Sequence, residues 1–424
     1  MDLCIIADDL TGANDSGVQL LDVGYNPTVL VDGDLKGLHK HEVVVVDTDS
    51  RADASMASYH KVKQVMNTVQ QYLPDVVYKK IDSTMRGNIG AELDAIYDTC
   101  SPDFIVINPA YPSAGRFVKN GELYVKDKPL DRSHIKNYPG PPFDTASIKT
   151  IINRQSAHDL WHGSPDWTDK QWKDALKKND GENKRYITFD AKKDEDIERV
   201  VQVLTNSSYR FSWAGSAGLM PSVAKACLSQ EKNETDKTKM EAGRFLFTIG
   251  SINQVTRLQL EQLKKADNMC HIAVHPTSLL FDYTETWNDV KRQFEKGANG
   301  KHVVLYTLYD EDTWESLQHA LKKRNMEIKD ASREIANALG NLVKQLRSTA
   351  AFKWYFLSGG DIAKAVCRQN KWDQLKLIDE LENGIPIGQA QEDDPVFVIT
   401  KAGGFGGKDV FLHALEKSER GVLY

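Results

Sequence analysis

The chain has 424 residues, 41% of them hydrophobic and 27% charged. That is enough apolar content to bury large cores, and it excludes a globally disordered chain. A net charge of −6 and a pI near 6.0 argue against a general nucleic-acid coat protein, which would be basic, while leaving room for a local basic pocket that takes a small anion. The five cysteines are scattered with no CxxC pair, Met1 is followed by no basic leader segment, and no apolar run approaches the ~18 residues of a membrane span. These features point to a soluble cytoplasmic protein in a reducing compartment, with no membrane and no nucleic-acid partner.

Leu3 to Ala7 (LCIIA) is a short apolar run of the kind that forms a buried strand. Asp8, Asp9 and Thr11-Gly12 follow it, and Val18, Leu20 and Leu21 then carry helical spacing. Thr28–Val31 and Glu42–Val46 predict two more strands, the second ending in Asp47-Thr48-Asp49-Ser50-Arg51. A helix over 54–72 leads to a strand at Val76–Tyr78, then to Lys79-Lys80-Ile81-Asp82-Ser83-Thr84, and a further strand runs from Phe104 to Ile107. Buried strands alternating with helices imply parallel βαβ units. The polar clusters fall just after the strands, at the sheet edge where open α/β folds bind ligands.

Residues 111–145, rich in Pro and Gly, predict loops and small β pieces. Residues 150–180 hold Trp161, Trp167 and Trp172, expected as aromatic anchors of surface helices, with His158 and His162 at helical i, i+4 spacing. A strand–helix–strand follows from Arg185 to Trp213. The polar stretch 229–243 predicts a linker, so two α/β domains with mostly parallel sheets are expected at 1–230 and 243–424. In the second, strands are predicted at Phe245–Ile249, Val303–Leu308, Trp354–Leu357 and Val396–Ile399.

Asp8, Asp9 and Asp15 can bind the hydroxyls of a polyol, hold Mg²⁺, or take a proton from a hydroxyl; helix capping is the plain alternative for Asp9. Arg51, Lys80 and Arg86, with Asp82, Ser83, Thr84 and Asn88 alongside, compose a pocket for a small acid, because guanidinium groups clamp carboxylates through paired N–H bonds. In the second domain Gly250-Ser251, Ser358-Gly359-Gly360-Asp361 and Thr400-Lys401-Ala402-Gly403-Gly404 each follow a predicted strand. Glycine lets backbone N–H groups approach phosphate oxygens, and a following helix adds its positive end. Walker A fails at Gly407-Lys408-Asp409, no G-x-G-x-x-G follows the first strand, and no G-x-S-x-G elbow is present. His158 and His162 lack a third metal ligand.

ADDLTGANDSGVQ, KKIDSTMRGN, PAYPSAGR, GSAGL, GSINQVTRLQ, SGGD and TKAGGFG, in that order over nearly the whole chain, resemble the four-carbon acid sugar kinases, with wording closest to the D-threonate and D-erythronate kinases. The resemblance implies an N-terminal sugar-acid domain, a C-terminal ATP domain and an active site in the cleft between them. It implies ATP with Mg²⁺ as cofactors and phosphorylation of the 4-hydroxyl of a tetronate; the sequence does not give the oligomeric state, for which a homodimer is the commonest arrangement in general. Carried over by position, Asp9, Arg51 and Lys80–Arg86 contact the sugar acid, while Ser251, Gly359, Gly360, Asp361, Ile362, Gly403 and Gly404 contact ATP. Ile252-Asn253 and Ile362 stand where many relatives have a small residue then Ser, and Thr. Asp9 is the first candidate for the general base and Asp361 the second; no metal ligands are assigned. A 3-oxo-tetronate kinase, a non-catalytic binding protein and a hydroxy-acid dehydrogenase are the alternatives.

Overall fold

Continuous apolar runs become strands that are covered on both faces, because each is followed by a helix that crosses back over the sheet. The computed structural model describes residues 1–31, 35, 38, 41–133, 143–228, 240–250, 253–390 and 394–420. The chain divides into two compact units, Met1–Thr235 and Asp236–Tyr424. The predicted linker falls largely on residues 229–239, and these, like Ser251 and Ile252, lie outside the described residues.

The first unit contains β1 (Leu3–Ala7), β2 (Thr28–Leu30), β3 (Val43–Asp47), β4 (Val76–Lys80) and β5 (Phe104–Asn108). After them come β6 (Arg116–Lys119), β7 (Glu122–Val125), β8 (Lys128–Pro129), β9 (Leu160–Gly163), β10 (Tyr186–Phe189) and β11 (Phe211–Gly215). The main sheet runs β2-β3-β1-β4-β11-β5-β10-β9, with every pair parallel. Ala7 lies opposite Asp47 on one side and Lys80 on the other, and Gly215 lies opposite Lys80 and Asn108. The strands therefore end flush, and the polar segments that follow β1, β3 and β4 leave the sheet at one edge. Of the Pro- and Gly-rich region, residues 116–129 fold into a small antiparallel sheet, β6-β7-β8, while residues 134–142 lie outside the described residues.

The second unit contains β12 (Phe245–Ile249), β13 (Met269–Val274), β14 (His302–Thr307) and β15 (Trp354–Ser358), followed by β16 (Gln374–Glu382), β17 (Ile385–Ala390) and β18 (Val396–Lys401). Its order is β13-β14-β12-β15-β18-β17-β16, parallel from β13 to β18, with the β16–β17 hairpin added antiparallel. Ile249, Ser358 and Lys401 are in register, so the three glycine segments leave β12, β15 and β18 side by side. Phe245, Phe247, Trp354, Phe356, Phe397 and Phe411 build the core beneath them.

Three expectations need correction. Trp161 lies on β9 rather than on a helix, whereas Trp172 is the buried anchor of the helix Asp169–Gly181; the two pack on each other at 6.0 Å. His158 precedes β9 and His162 lies on it, so the two share no helix face; His162 Nε2 pairs with Asp190 Oδ1 at 2.8 Å. The β16–β17 hairpin was not foreseen, because Lys376, Asp379, Glu380 and Glu382 break the apolar run of β16, and Pro386 and Gly388 interrupt β17. Among the described residues no helix is long and apolar enough to cross a membrane.

Candidate active site

Only Asp8 and Asp9 separate β1 from the helix Leu10–Val18, because Asp9 caps it: Gly12 N–H donates to Asp9 Oδ1 at 2.7 Å. Gly12 is needed there, since a Cβ would lie 2.6 Å from that oxygen and 3.3 Å from Lys80 Nζ. Asp9 thus caps the helix with one oxygen and keeps the other for the polar cluster after β3. Its other oxygen accepts from Arg51 Nη1 at 2.5 Å. Arg51 also forks onto Asp8, Nε to Oδ2 and Nη2 to Oδ1, each at 2.8 Å. Burial opposes charge on Asp8, but Arg51, Lys79 and Lys80 hold its carboxyl below the ordinary range.

After β4, Asp82 organises the turn. It takes Arg86 Nε at 2.8 Å and Nη2 at 2.7 Å, and accepts from the Thr84 hydroxyl and backbone N–H. Burial again opposes its charge; hydrogen bonds from Arg86 and the Arg51 guanidinium, 4.0 Å away, hold it well below the usual carboxylate range. Lys80 donates to the Ile81 carbonyl at 3.0 Å and stands 3.9 Å from Asp15 Oδ2. Ser83 is half-buried in the same turn. Asn88 faces elsewhere: its amide donates to Asp53 O at 2.9 Å and Ser58 Oγ at 2.7 Å, bracing the segment after β3.

Beneath this edge lies a buried network that the sequence reading missed. Lys79, 0% exposed, pairs with Glu92, 1% exposed, at 2.9 Å. Ser50 donates to Glu92 at 2.5 Å and shares a 2.8 Å contact with Thr48, which donates to Ala7 O. The Thr48–Arg51 segment is therefore pinned to β1 and to the helix Ile89–Cys100. The one sequence signal for Glu92 was a charge on the apolar face of that helix, among Ile89, Leu93 and Ile96.

In the second unit Gly359 sits at φ +116°, which glycine tolerates, and opens the helix Gly360–Asn370. Gly359, as N-cap, has no side chain to cap that helix, whose positive N-terminal end lies at Gly360 and Asp361. The Ile362 side chain is buried under the turn, against Gly250 and Gly359, so only its backbone can meet a phosphate. Asn253 caps the helix Gln254–Leu263 by accepting from Val255 N–H. Thr256 donates to Gly403 O at 2.6 Å, and Gln259 donates to the carbonyls of Phe405, Gly406 and Gly407 at 2.9–3.1 Å. Lys401 Nζ donates to Thr256 Oγ1 at 3.1 Å and to the Ala402 and Gly403 carbonyls. With its carbonyls held this way, the Gly403-Gly404 loop has a fixed backbone. Burial lowers the Lys401 ammonium to about 8, with Glu382 opposing. A cavity of about 200 Å³ adjoins Thr256, lined by Arg257, Lys264, Tyr306 and Tyr309, with the Arg257 guanidinium 4.0 Å over the Tyr309 ring.

Ser251 lies outside the described residues. Asp8, Asp9, Asp15, Arg51, Lys80, Asp82, Thr84 and Arg86 gather at the edge of β1, β3 and β4; Gly359, Gly360, Asp361, Ile362, Gly403 and Gly404 gather at that of β15 and β18. Among the described residues no three His, Cys, Asp or Glu side chains converge as a metal cage.

Two family models match, the sugar-binding N-terminal domain over residues 3–223 and the nucleotide-binding C-terminal domain over 246–411. The chain is a kinase, an ATP-dependent phosphotransferase with one unit for each substrate. It belongs to the four-carbon acid sugar kinase family. It is 27% identical to a D-threonate kinase of Salmonella typhimurium, covering 98% of each chain. It is 28% identical to a D-erythronate kinase of Heliobacterium modesticaldum, over 96% of this chain and 94% of the relative. A 3-oxo-tetronate kinase of Haemophilus influenzae is 25% identical over 97% and 98%. A solved structure from Salmonella typhimurium LT2, 20% identical, superposes with a TM-score of 0.81 over 98% of this chain and 99% of that one, which speaks for the fold.

Proposed function

We propose that the protein transfers the γ-phosphoryl group of ATP to the 4-hydroxyl of D-threonate, D-erythronate or both, giving the 4-phosphate. The observation that carries this is the Arg51–Arg86–Lys80 array set against Asp8, Asp9 and Asp82 at one sheet edge. It offers fixed cations for a carboxylate and fixed carboxylates for hydroxyls, which is the recognition a polyhydroxy acid demands. The relatives named D-threonate and D-erythronate kinase span nearly the same length and support the substrate choice.

Phosphoryl transfer is mostly positioning and charge stabilisation. Arg51 and Arg86 orient the sugar-acid carboxylate, and Asp9, tied at both oxygens, orients its hydroxyls. The N–H groups that open the helix Gly360–Asn370 and the Gly403-Gly404 loop take the nucleotide phosphates. Mg²⁺ would come with the nucleotide, in keeping with the lack of a His, Cys, Asp or Glu cage among the described residues. Asp361, at the phosphate-binding turn, is the carboxylate that would hold it, and the ion would neutralise charge developing on the phosphates.

The test is ATP consumption with Mg²⁺ against D-threonate, D-erythronate, their L-isomers and 3-oxo-tetronates, with the phosphorylated carbon assigned by NMR. Strong turnover of one or both D-tetronates with phosphate on O4 is expected. Turnover only of a 3-oxo acid would reassign the substrate, and no turnover with any member would overturn the four-carbon reading.

A further inference from the structure

We propose that Asp15, through Oδ2, accepts the proton of the attacking substrate hydroxyl. The inference rests on the kinase reading above and assigns the general base within it. Asp15 lies one turn beyond Thr11 on the helix Leu10–Val18, facing the edge where the sugar acid is placed. Asp8, Asp9, Asp82 and Glu92 at that edge are all engaged by donors. Asp8 holds the Arg51 fork, Asp9 is bound by Gly12 N–H and Arg51, Asp82 by Arg86 and Thr84, and Glu92 by Lys79 and Ser50. Asp15 differs: its Oδ1 is buried and accepts no hydrogen bond from any described residue. Its nearest cation, Lys80 Nζ, stands 3.9 Å from Oδ2, an ion pair too long for a hydrogen bond.

A buried carboxylate oxygen without a donor is costly, and native structures keep few of them. The side chain is 13% exposed although Oδ1 is buried, so the part it presents outward is the Oδ2 side. The groups around it come from several elements. Lys80 and Tyr78 lie on β4, Asp9 precedes the helix, Asp82 follows β4, and Arg116 begins β6. The Tyr78 hydroxyl is committed to Ser216 O at 2.6 Å. Burial makes the Asp15 carboxyl more basic than an ordinary aspartate; Asp9 and Asp82 add to this, while Lys80 and Arg116 oppose it without cancelling it. A general base at a neutral working pH needs that direction of shift, whereas Asp8 and Asp82, tied to arginine, have lost basicity.

The step balances. The substrate O–H bond breaks and its proton passes to Asp15 Oδ2. The hydroxyl oxygen forms the bond to the γ-phosphorus, and the bond from that phosphorus to the β-phosphate oxygen breaks, its electron pair leaving with ADP. Asp15 returns the proton to solvent after product release. Lys80 holds the carboxylate in place and takes no proton in this scheme.

The test is Asp15→Asn, which keeps shape and removes basicity. In the D-tetronate assay kcat is expected to fall about 10²-fold or more, with KM for both substrates within about threefold. The acid limb of the kcat–pH profile, present in the wild-type enzyme with a midpoint above that of a free aspartate, is expected to disappear. Calorimetry checks folding of the variant, which relief of a buried charge leaves as stable as the parent or more so. A kcat within about fivefold of wild type, a loss confined to KM, or a wild-type profile without that acid limb would each overturn the assignment. An inactive wild-type protein would instead remove the tetronate reading itself, so the two failures are distinct.

Discussion

Lys79→Met tests whether the buried network beneath the site holds the N-terminal unit together. The wild-type pair is 2.9 Å apart and essentially unexposed, at 0% and 1%. Removing one partner of such a pair leaves a buried, uncompensated charge and costs about 3–5 kcal/mol. For a unit the size of Met1–Thr235, each kcal/mol moves the melting temperature by about 2–4 °C. The expected fall is therefore about 6–20 °C. Calorimetry with and without sugar acid identifies the affected transition, because ligand raises the melting temperature of the unit that binds it. Burial has already raised the Glu92 carboxyl, with Asp8 adding and Lys79 opposing, and loss of Lys79 raises it further. A carboxyl whose folded pKa lies above its unfolded value favours folding when protonated and penalises it when ionised. The deficit is therefore expected to shrink below the ordinary glutamate range and to grow as pH rises. The double variant Lys79→Met/Glu92→Leu removes both charges and is expected to recover most of the loss. A single variant that melts within about 2 °C of wild type, or a double variant no better than the single, would refute the reasoning.

Arg51→Lys keeps the charge and loses the two-pronged contact with Asp8; at about 1.5–3 kcal/mol for charged hydrogen bonds, kcat/KM for the sugar acid is expected to fall about 10–100-fold with KM for ATP unchanged, as steady-state kinetics would register. Gly12→Ala gains about 1 kcal/mol of helix propensity but drives a Cβ against Asp9 Oδ1, 2.6 Å away; melting is expected to change little while sugar-acid turnover drops about tenfold or more. Lys401, lowered from 10.5 to about 8 by burial, is protonated in the unfolded chain and neutral in the folded one between those values, so its contribution to stability rises from pH 8 to 10.5, by about 3 kcal/mol at most. ATP phosphates near it are expected to draw a proton onto it, so binding at pH 8.5 takes up a proton, seen as buffer-dependent heat in calorimetry and abolished in Lys401→Met; heats identical across buffers would count against its place at the phosphates.

Strands covered on both faces were legible because burial on two sides leaves only apolar residues, as in LCIIA of β1 and FLFTI of β12. The site was legible for a related reason. Parallel strands ending flush deliver whatever follows them to one edge, so Asp8-Asp9, Arg51 and Lys80–Arg86 meet without any contact having to be foreseen. What stayed hidden depends on side-chain direction within those same segments. Lys79 and Lys80 are neighbours on a strand, where successive side chains take opposite faces. Lys79 goes under the sheet edge to Glu92, and Lys80 goes toward Asp15. A lysine pair in a string reads as one basic patch, yet one member is locked in a buried pair and the other stands in the candidate site. The same ambiguity covers the aspartates. Asp8, Asp9 and Asp15 look equivalent in ADDLTGAND, and only the count of donors around each separates those tied down by Arg51 from the one left basic. Chemistry at this edge is set less by which residues arrive there than by which of them the arginines leave unbound.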